Sequence, residues 1–200
     1  MHPNKLKRAS QSLSKLLRHD ANKAGLTMDS AGWAKTADVR RIARISQSAL
    51  DTVVAENNKT RLQIDGDYIR ASQGHSFSGT PVTQEGLEES WTLWAGSASI
   101  WHGTRPELVE SIARKGLLAQ SRTHVHLAES VDSRVGKRAG VGVLLEVSPA
   151  RVRAAGLAIF VSQNGVILVR HVPPESIIDL HPCSRRARSA APRLRAALGV

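Results

Sequence analysis

The hydrophobic positions of the first seventy residues fall into short, alternating blocks. Leu13, Leu16 and Leu17 recur at helical spacing, so an amphipathic helix is expected over Ser10–His19. Leu26-Thr27-Met28 alternates like a short strand, Asp29-Ser30-Ala31-Gly32 is its turn, and Trp33 is expected to anchor a core. A second helix is predicted over about Thr36–Arg44, with Thr36 as its cap. A third follows Ser46 and carries Leu50, Val53 and Val54 inward. The stretch RLQIDGDYIRA (61–71) then reads as two strands around Asp65-Gly66, a strong hairpin signal.

Three helices followed by a hairpin is the order of a winged helix, expected here over residues 1–78. Residues 79–92 are polar, locally acidic and interrupted by Gly and Pro, and are expected to form a linker. Beyond it, over 93–182, short strands alternate with helices. Ile100–His102, His124–Leu127 and Val143–Val147 read as strands, Pro106–Lys115 as a helix closed by Gly116, and Asn164-Gly165 as the turn of a hairpin. The fold class is therefore α+β, without internal repeats.

Charge narrows the function. The 28 Lys and Arg outnumber the 17 Asp and Glu, a formal +11, and such an excess favours polyanionic partners. Residues 1–45 hold ten basic and three acidic side chains. The tail, 183–200, contains Arg185, Arg186, Arg188, Arg193 and Arg195 without an acid, and reads as an RNA-gripping arm, a helix or a solvated tail. A winged helix alone suggests a DNA reader. However, the third helix region, Ser46–Asn58, carries Asp51 and Glu56 and no Lys or Arg, which suits neither phosphates nor guanine edges. The lobe is expected to hold nucleic acid by another face. The single cysteine, Cys183, excludes an internal disulfide and a cysteine-based zinc site. There is no signal-peptide core and no apolar run of the ~20 residues a span needs, so a cytoplasmic protein is expected, and nothing calls for an obligate dimer.

Four motifs carry candidate chemistry: Leu17-Arg18-His19; Arg70-Ala-Ser72-Gln73-Gly74-His75-Ser76; His102-Gly103-Thr104; and Arg122-Thr-His124-Val-His126-Leu127. Singly, each also fits an ordinary surface helix, loop or strand. His124 and His126 share a strand face, but no third ligand stands near them in sequence and zinc is not expected.

Together and in order, these motifs closely resemble the KptA-type RNA 2′-phosphotransferases. Gly25-Leu-Thr27, Gly32-Trp33, Ser162–Val166 and His171–Glu175 extend the likeness over residues 10–178. The resemblance implies a winged-helix lobe and an ADP-ribosyltransferase-like, NAD-binding lobe. It implies tRNA processing chemistry in which an internal RNA 2′-phosphate attacks the nicotinamide ribose carbon of NAD and expels nicotinamide. The ribose 2″-hydroxyl then attacks phosphorus, leaving RNA 2′-OH and ADP-ribose 1″,2″-cyclic phosphate, with no metal. The family's catalytic quartet maps onto Arg18, His19, Arg70 and Arg122. NAD contacts map onto His102, Gly103, Thr104, His126 and Val166, with Arg138 at the pyrophosphate; Gln73, His75 and Ser76 are expected to dock RNA phosphates. Guanidinium groups suit a metal-free site because they gather a phosphate dianion with paired, permanently charged donors. Many enzymes of the wider fold carry glutamate where Val166 stands here; its absence suits a nucleophile that is already anionic. Trp101, Ala128, Ala139, Gly142 and Ile167 depart from the family's usual tyrosine, serine, histidine, proline and tryptophan, and bear on NAD affinity more than on reaction type.

Two other functions fit parts of the pattern. An ADP-ribosyltransferase that caps phosphorylated RNA or DNA ends would use the same pocket but leave ADP-ribose attached. A non-enzymatic winged-helix binding protein would have lost catalytic positions, yet all four are present.

Overall fold

The computed structural model describes residues 3–56, 60–133, 135–136 and 140–200 of the 200-residue chain, in a mixed α+β fold. It divides into two compact units, Met1–Trp91 with Ser121–Thr123, and Thr92–Gln120 with His124–Val200. Among the described residues no helix is long and apolar enough to cross a membrane.

In the first unit, helix α1 (Pro3–Lys15) runs into a single π-helical turn, Leu16–Asp20. Leu13 and Leu17 are fully buried, the inward stripe that the periodicity demands. Strand β1 (Ala34–Lys35) leads directly into α2 (Thr36–Ala43), and α3 (Gln47–Ala55) is capped by Ser46 Oγ, which accepts from Ala49 N. Strands β2 (Leu62–Asp65) and β3 (Tyr68–Ala71) form the expected hairpin, and β3 is the centre of a three-stranded sheet ordered β1-β3-β2.

Several local expectations change. Leu26 and Met28 are buried and Thr27 is exposed, but no strand forms there because the ladder beside β3 is occupied by Ala34–Lys35. Thr36 does not cap α2: it is the first helical residue, and its N–H donates to Asp67 O at 2.8 Å. The hairpin loop is Gly66-Asp67 rather than Asp65-Gly66, since Asp65 pairs with Tyr68 and Gly66 takes the positive φ of 52°. Residues 79–92 hold helix α4 (Gln84–Glu89), whose Leu87 is fully buried, and Trp91 Nε1 donates to Ser72 O at 3.1 Å. A polar, Gly-interrupted stretch can conceal one apolar anchor, and here that anchor packs the segment into the first unit.

The second unit holds a four-stranded sheet, β4-β9-β10-β7 (Thr92–Leu93, Phe160–Val161, Ile167–Val169, Val125–Leu127), and a three-stranded sheet, β12-β8-β5 (Ile177–Pro182, Val143–Val147, Ile100–Thr104). Strands β6 (Leu117–Leu118) and β11 (His171–Val172) pair separately. Helices α5 (Val109–Lys115) and α6 (Pro149–Ala154) lie between strands. The arginine-rich tail is helix α7 (Arg185–Leu198). Its Ala187, Ala191 and Leu194 join Leu145, Val147 and Leu180 in one apolar cluster. Arg186, Arg193 and Arg195 pair with Glu107, Glu110 and Asp179 of the same unit.

Candidate active site

Arg18 and His19 sit in the π-helical turn, the kind of helix distortion that often accompanies a functional position. Buried Leu16 and Leu17 fix the start of that turn. Gly79 presses against its backbone so closely that an added Cβ would lie 1.9 Å from His19 O. Arg18 NH2 donates to Gln73 Oε1 at 3.1 Å. Ser76 N donates to Arg18 O at 2.9 Å, and Ser76 Oγ lies 3.3 Å from both Arg18 O and His19 Nδ1. A carbonyl can only accept, so both contacts are satisfied together when Ser76 donates to Arg18 O and His19 Nδ1–H donates to Ser76; Nε2 is then the acceptor nitrogen.

Arg122 reaches this turn from a distant part of the sequence. Ser121–Thr123 cluster with the first unit, where Arg122 forms an antiparallel bridge with Ser76, Thr123 N donates to His75 O at 3.2 Å, and Gln84 Nε2 donates to Thr123 O at 2.8 Å. Burial, then the charges of Arg61 and Arg122, pull the Arg18 guanidinium down to about 10. His19 is pulled below its ordinary value by partial burial, then by Arg122 and Arg18, with Asp20 opposing. Crowded cations of this kind suit one ligand class above others, a compact anion such as a phosphate dianion.

Arg70 lies on the central strand β3, which packs against the same turn, and is only 4% exposed. Its Nε donates to Gln63 Oε1 at 2.9 Å and its NH1 to Ala31 O at 3.3 Å, while Cζ stands 4.5 Å from the centre of the Trp33 ring. Burial lowers its pKa, with Asp29 acting the other way. Trp33 is thus half-buried beneath a cation rather than the core anchor expected. Gln73, His75 and Ser76, expected at RNA phosphates, are buried, His75 completely. Gln73 and Ser76 are bonded to Arg18 and His19.

The motif reading missed Gln63 and Arg61. Gln63 was hidden by register: an Asp65-Gly66 loop would set Arg61 opposite Arg70, and only the observed pairing of Asp65 with Tyr68 brings Gln63 there. Arg61 belongs to no motif; its charge lowers the Arg18 pKa, and its carbonyl accepts from Ser72 N at 2.9 Å.

In the second unit, His102, Gly103 and Thr104 run along β5 and His126 lies on β7. Trp101 and Ala128 join these strands through reciprocal 2.8 Å bonds, and His102 Nδ1–H donates to His126 O at 3.0 Å, which fixes its tautomer. Val166 is buried and leads into β10, whose Leu168 pairs with His126. Arg138 and Ala139 lie outside the described residues. Glu146, Asp179 and His181 bring potential metal-ligating atoms within 4.8 Å of one another. They also form an internal network: His181 Nε2 is 3.0 Å from Glu146 Oε2, Ser99 donates to Glu146 Oε1 at 2.6 Å, and Arg195 donates to Asp179 at 2.9 Å. Trp101 packs edge-on against that His181 ring, with centroids 4.9 Å apart.

Residues 4–171 match the model of the RNA 2′-phosphotransferase, Tpt1 / KptA family. The chain belongs to this family. A probable RNA 2′-phosphotransferase of Burkholderia lata is 37% identical over 187 residues, covering 89% of this chain and 93% of that protein. One from Pseudomonas savastanoi pv. phaseolicola is 38% identical over 180 residues, 86% of this chain and 92% of that protein. A third, from Flavobacterium johnsoniae, is 36% identical over 186 residues, 88% of this chain and 98% of that protein. The RNA 2′-phosphotransferase family thus accounts for a transferase acting on RNA 2′-phosphate, and its match spans both units, from α1 to β11.

Proposed function

We propose that this RNA 2′-phosphotransferase uses NAD as co-substrate, removing an internal 2′-phosphate from a tRNA-like RNA as a cytoplasmic monomer. The observation that carries the reading is the gathering of Arg18, His19 and Arg122 within mutual electrostatic range, with Arg70 on the strand packed beside them. NAD supplies the ribose carbon that accepts the phosphate as nicotinamide leaves, and the neighbouring hydroxyl that later attacks phosphorus.

The helix–strand–helix–helix–hairpin order of the first unit supports a winged-helix lobe, and the two sheets of the second unit, bridged through Trp101 of β5 and Ala128 just after β7, support an ADP-ribosyltransferase-like lobe. For NAD, the donor set fits. His102, with Nδ1–H committed to His126 O, presents Nε2 as an acceptor suited to a ribose hydroxyl, and Thr104 adds a hydroxyl of its own. Gly103 and Val166 contribute shape, and Arg138 would meet the pyrophosphate. The three arginines hold the phosphate and stabilise charge as the phosphoryl group changes partners. His19, neutral at pH 7 with Nε2 as acceptor, takes the proton from the attacking hydroxyl and returns it to the departing RNA 2′-oxygen.

The test is an RNA with one internal 2′-phosphate, incubated with and without NAD. Phosphate loss should require NAD and release one nicotinamide per RNA converted. Arg18→Ala and Arg122→Ala should each slow turnover on the order of a hundredfold or more. His19→Ala should accumulate ADP-ribosylated RNA. Phosphate loss without NAD, or ADP-ribose left on the RNA by the wild-type protein as the end product, would overturn the reading.

A further inference from the structure

The sheet order β1-β3-β2 places one row of side chains across its middle. Ala34 pairs with Ile69, so Trp33 falls beside Arg70 on one flank; Gln63 pairs with Arg70 on the other. From this row we infer that Trp33 and Gln63 are positioning residues for Arg70, holding its guanidinium so that NH2 is the nitrogen offered to the phosphate. The inference rests on the role proposed for Arg70 above.

Each contact removes one freedom. Gln63 Oε1 takes the Nε–H at 2.9 Å, which sets the direction of the guanidinium fork within its plane. Trp33 lies 4.5 Å beneath Cζ and fixes the tilt of that plane through cation–π attraction. Ala31 O takes one NH1 proton at 3.3 Å. The loop that delivers Ala31 and Trp33 is itself fixed, because Asp29 Oδ1 accepts from Ala31 N at 2.9 Å and from Trp33 N at 2.8 Å. Of the five guanidinium protons, two are committed to named acceptors, and neither belongs to NH2. A buried arginine held on three sides enters the reaction without losing side-chain freedom at that moment, which is how a positioned group differs from a merely nearby one. The row also gives Gly32-Trp33 a chemical purpose: the turn glycine, at φ 85°, brings the indole under the cation.

The experiment compares Gln63→Leu, Trp33→Leu and Trp33→Phe, alone and in an Arg70→Ala background. Readouts are kcat, KM for NAD and for RNA, thermal midpoint, and the Arg70 Nε–H signal in nitrogen-15 NMR. Gln63→Leu and Trp33→Leu should each lower kcat on the order of tenfold to a hundredfold, leaving KM for NAD within about twofold. Trp33→Phe should recover most of the loss, since a ring remains. In the Arg70→Ala background the same changes should have almost no further effect, as expected of residues acting through one group. The Nε–H proton, slow to exchange in the wild type, should exchange freely in Gln63→Leu. Equal losses with and without Arg70, an unaffected kcat, or a Trp33→Phe variant as poor as Trp33→Leu would overturn the proposal. Should Gln63→Leu fail to fold, Gln63→Met carries the same test. If the wild-type protein converts no RNA, the functional reading fails, while the NMR signal still decides whether Gln63 holds Arg70.

Discussion

Replacing Gly79 by alanine tests how closely the turn that carries Arg18 and His19 depends on its backing. A Cβ at position 79 would stand 1.9 Å from His19 O, 2.5 Å from His19 C and 2.9 Å from His19 Cα. All three are backbone atoms, so no flexible side chain can swing away. Ordinary carbon–oxygen contact is about 3.3 Å, so one backbone must move by roughly 1 Å or more. Gly79 is itself tied at both ends, its N donating to Ser76 O at 3.3 Å and its O accepting from Asn22 N at 3.0 Å, so the displacement falls partly on Arg18 and His19. Overpacking of this kind destabilises by about 1–3 kcal/mol, lowering the thermal midpoint by several degrees. A shift near 1 Å at reacting groups reduces turnover by about a hundredfold. Gly25→Ala is the control: its φ of 64° is strained for alanine, but a Cβ there meets nothing within 4 Å. It should cost about 1 kcal/mol and leave kcat unchanged. The assays are thermal unfolding and initial rates on RNA bearing a 2′-phosphate. A Gly79→Ala protein with wild-type kcat would refute the argument that this contact sets the position of His19.

Three further outcomes follow from burial and charge. Because folding lowers the His19 pKa below its ordinary 6.5, the unfolded chain binds more protons as pH falls from that value. Stability should therefore decline with falling pH below about 6.5, and the acid limb of kcat/KM, which reports the free protein, should have its midpoint under 6.5 and vanish in His19→Ala; a midpoint of kcat/KM above 6.5 would contradict the cationic surroundings described. Leu87→Ala, at a fully buried position of α4, should destabilise by about 2–5 kcal/mol in denaturant titration, whereas a free connecting segment would tolerate it. Leu194→Ala should destabilise similarly, and RNA affinity should change little, because α7 is packed as a structural helix; a large loss of affinity with unchanged stability would reverse that assignment.

The helical blocks and hairpins were legible because their signals are local: Leu13 and Leu17 at helical spacing, Ser46 before α3, Asn164-Gly165 between β9 and β10. Arg18, His19, Arg70 and Arg122 stand out in the sequence as members of ordered motifs, and the fold places all four in the first unit. What the sequence concealed depends on tertiary partners. Trp33 looks like core until Arg70 is placed over its ring, and Leu26–Met28 alternates like a strand but has no neighbour to pair with. The five tail arginines suggest a polyanion grip until three of them meet Glu107, Glu110 and Asp179. Gln73 and Ser76 are polar residues within a functional motif, yet burial directs them to Arg18 and His19.

The return of Ser121–Thr123 to the first unit has a consequence for how such a protein can be divided. Any single cut between residues 92 and 120 yields one fragment bearing Arg18, His19 and Arg70 and another bearing Arg122. Neither piece holds all four side chains, so a truncation at such a cut divides the proposed site between two products. Swapping the segment after residue 92 for an unrelated module would therefore strip the first unit of Arg122, although most of that segment folds elsewhere.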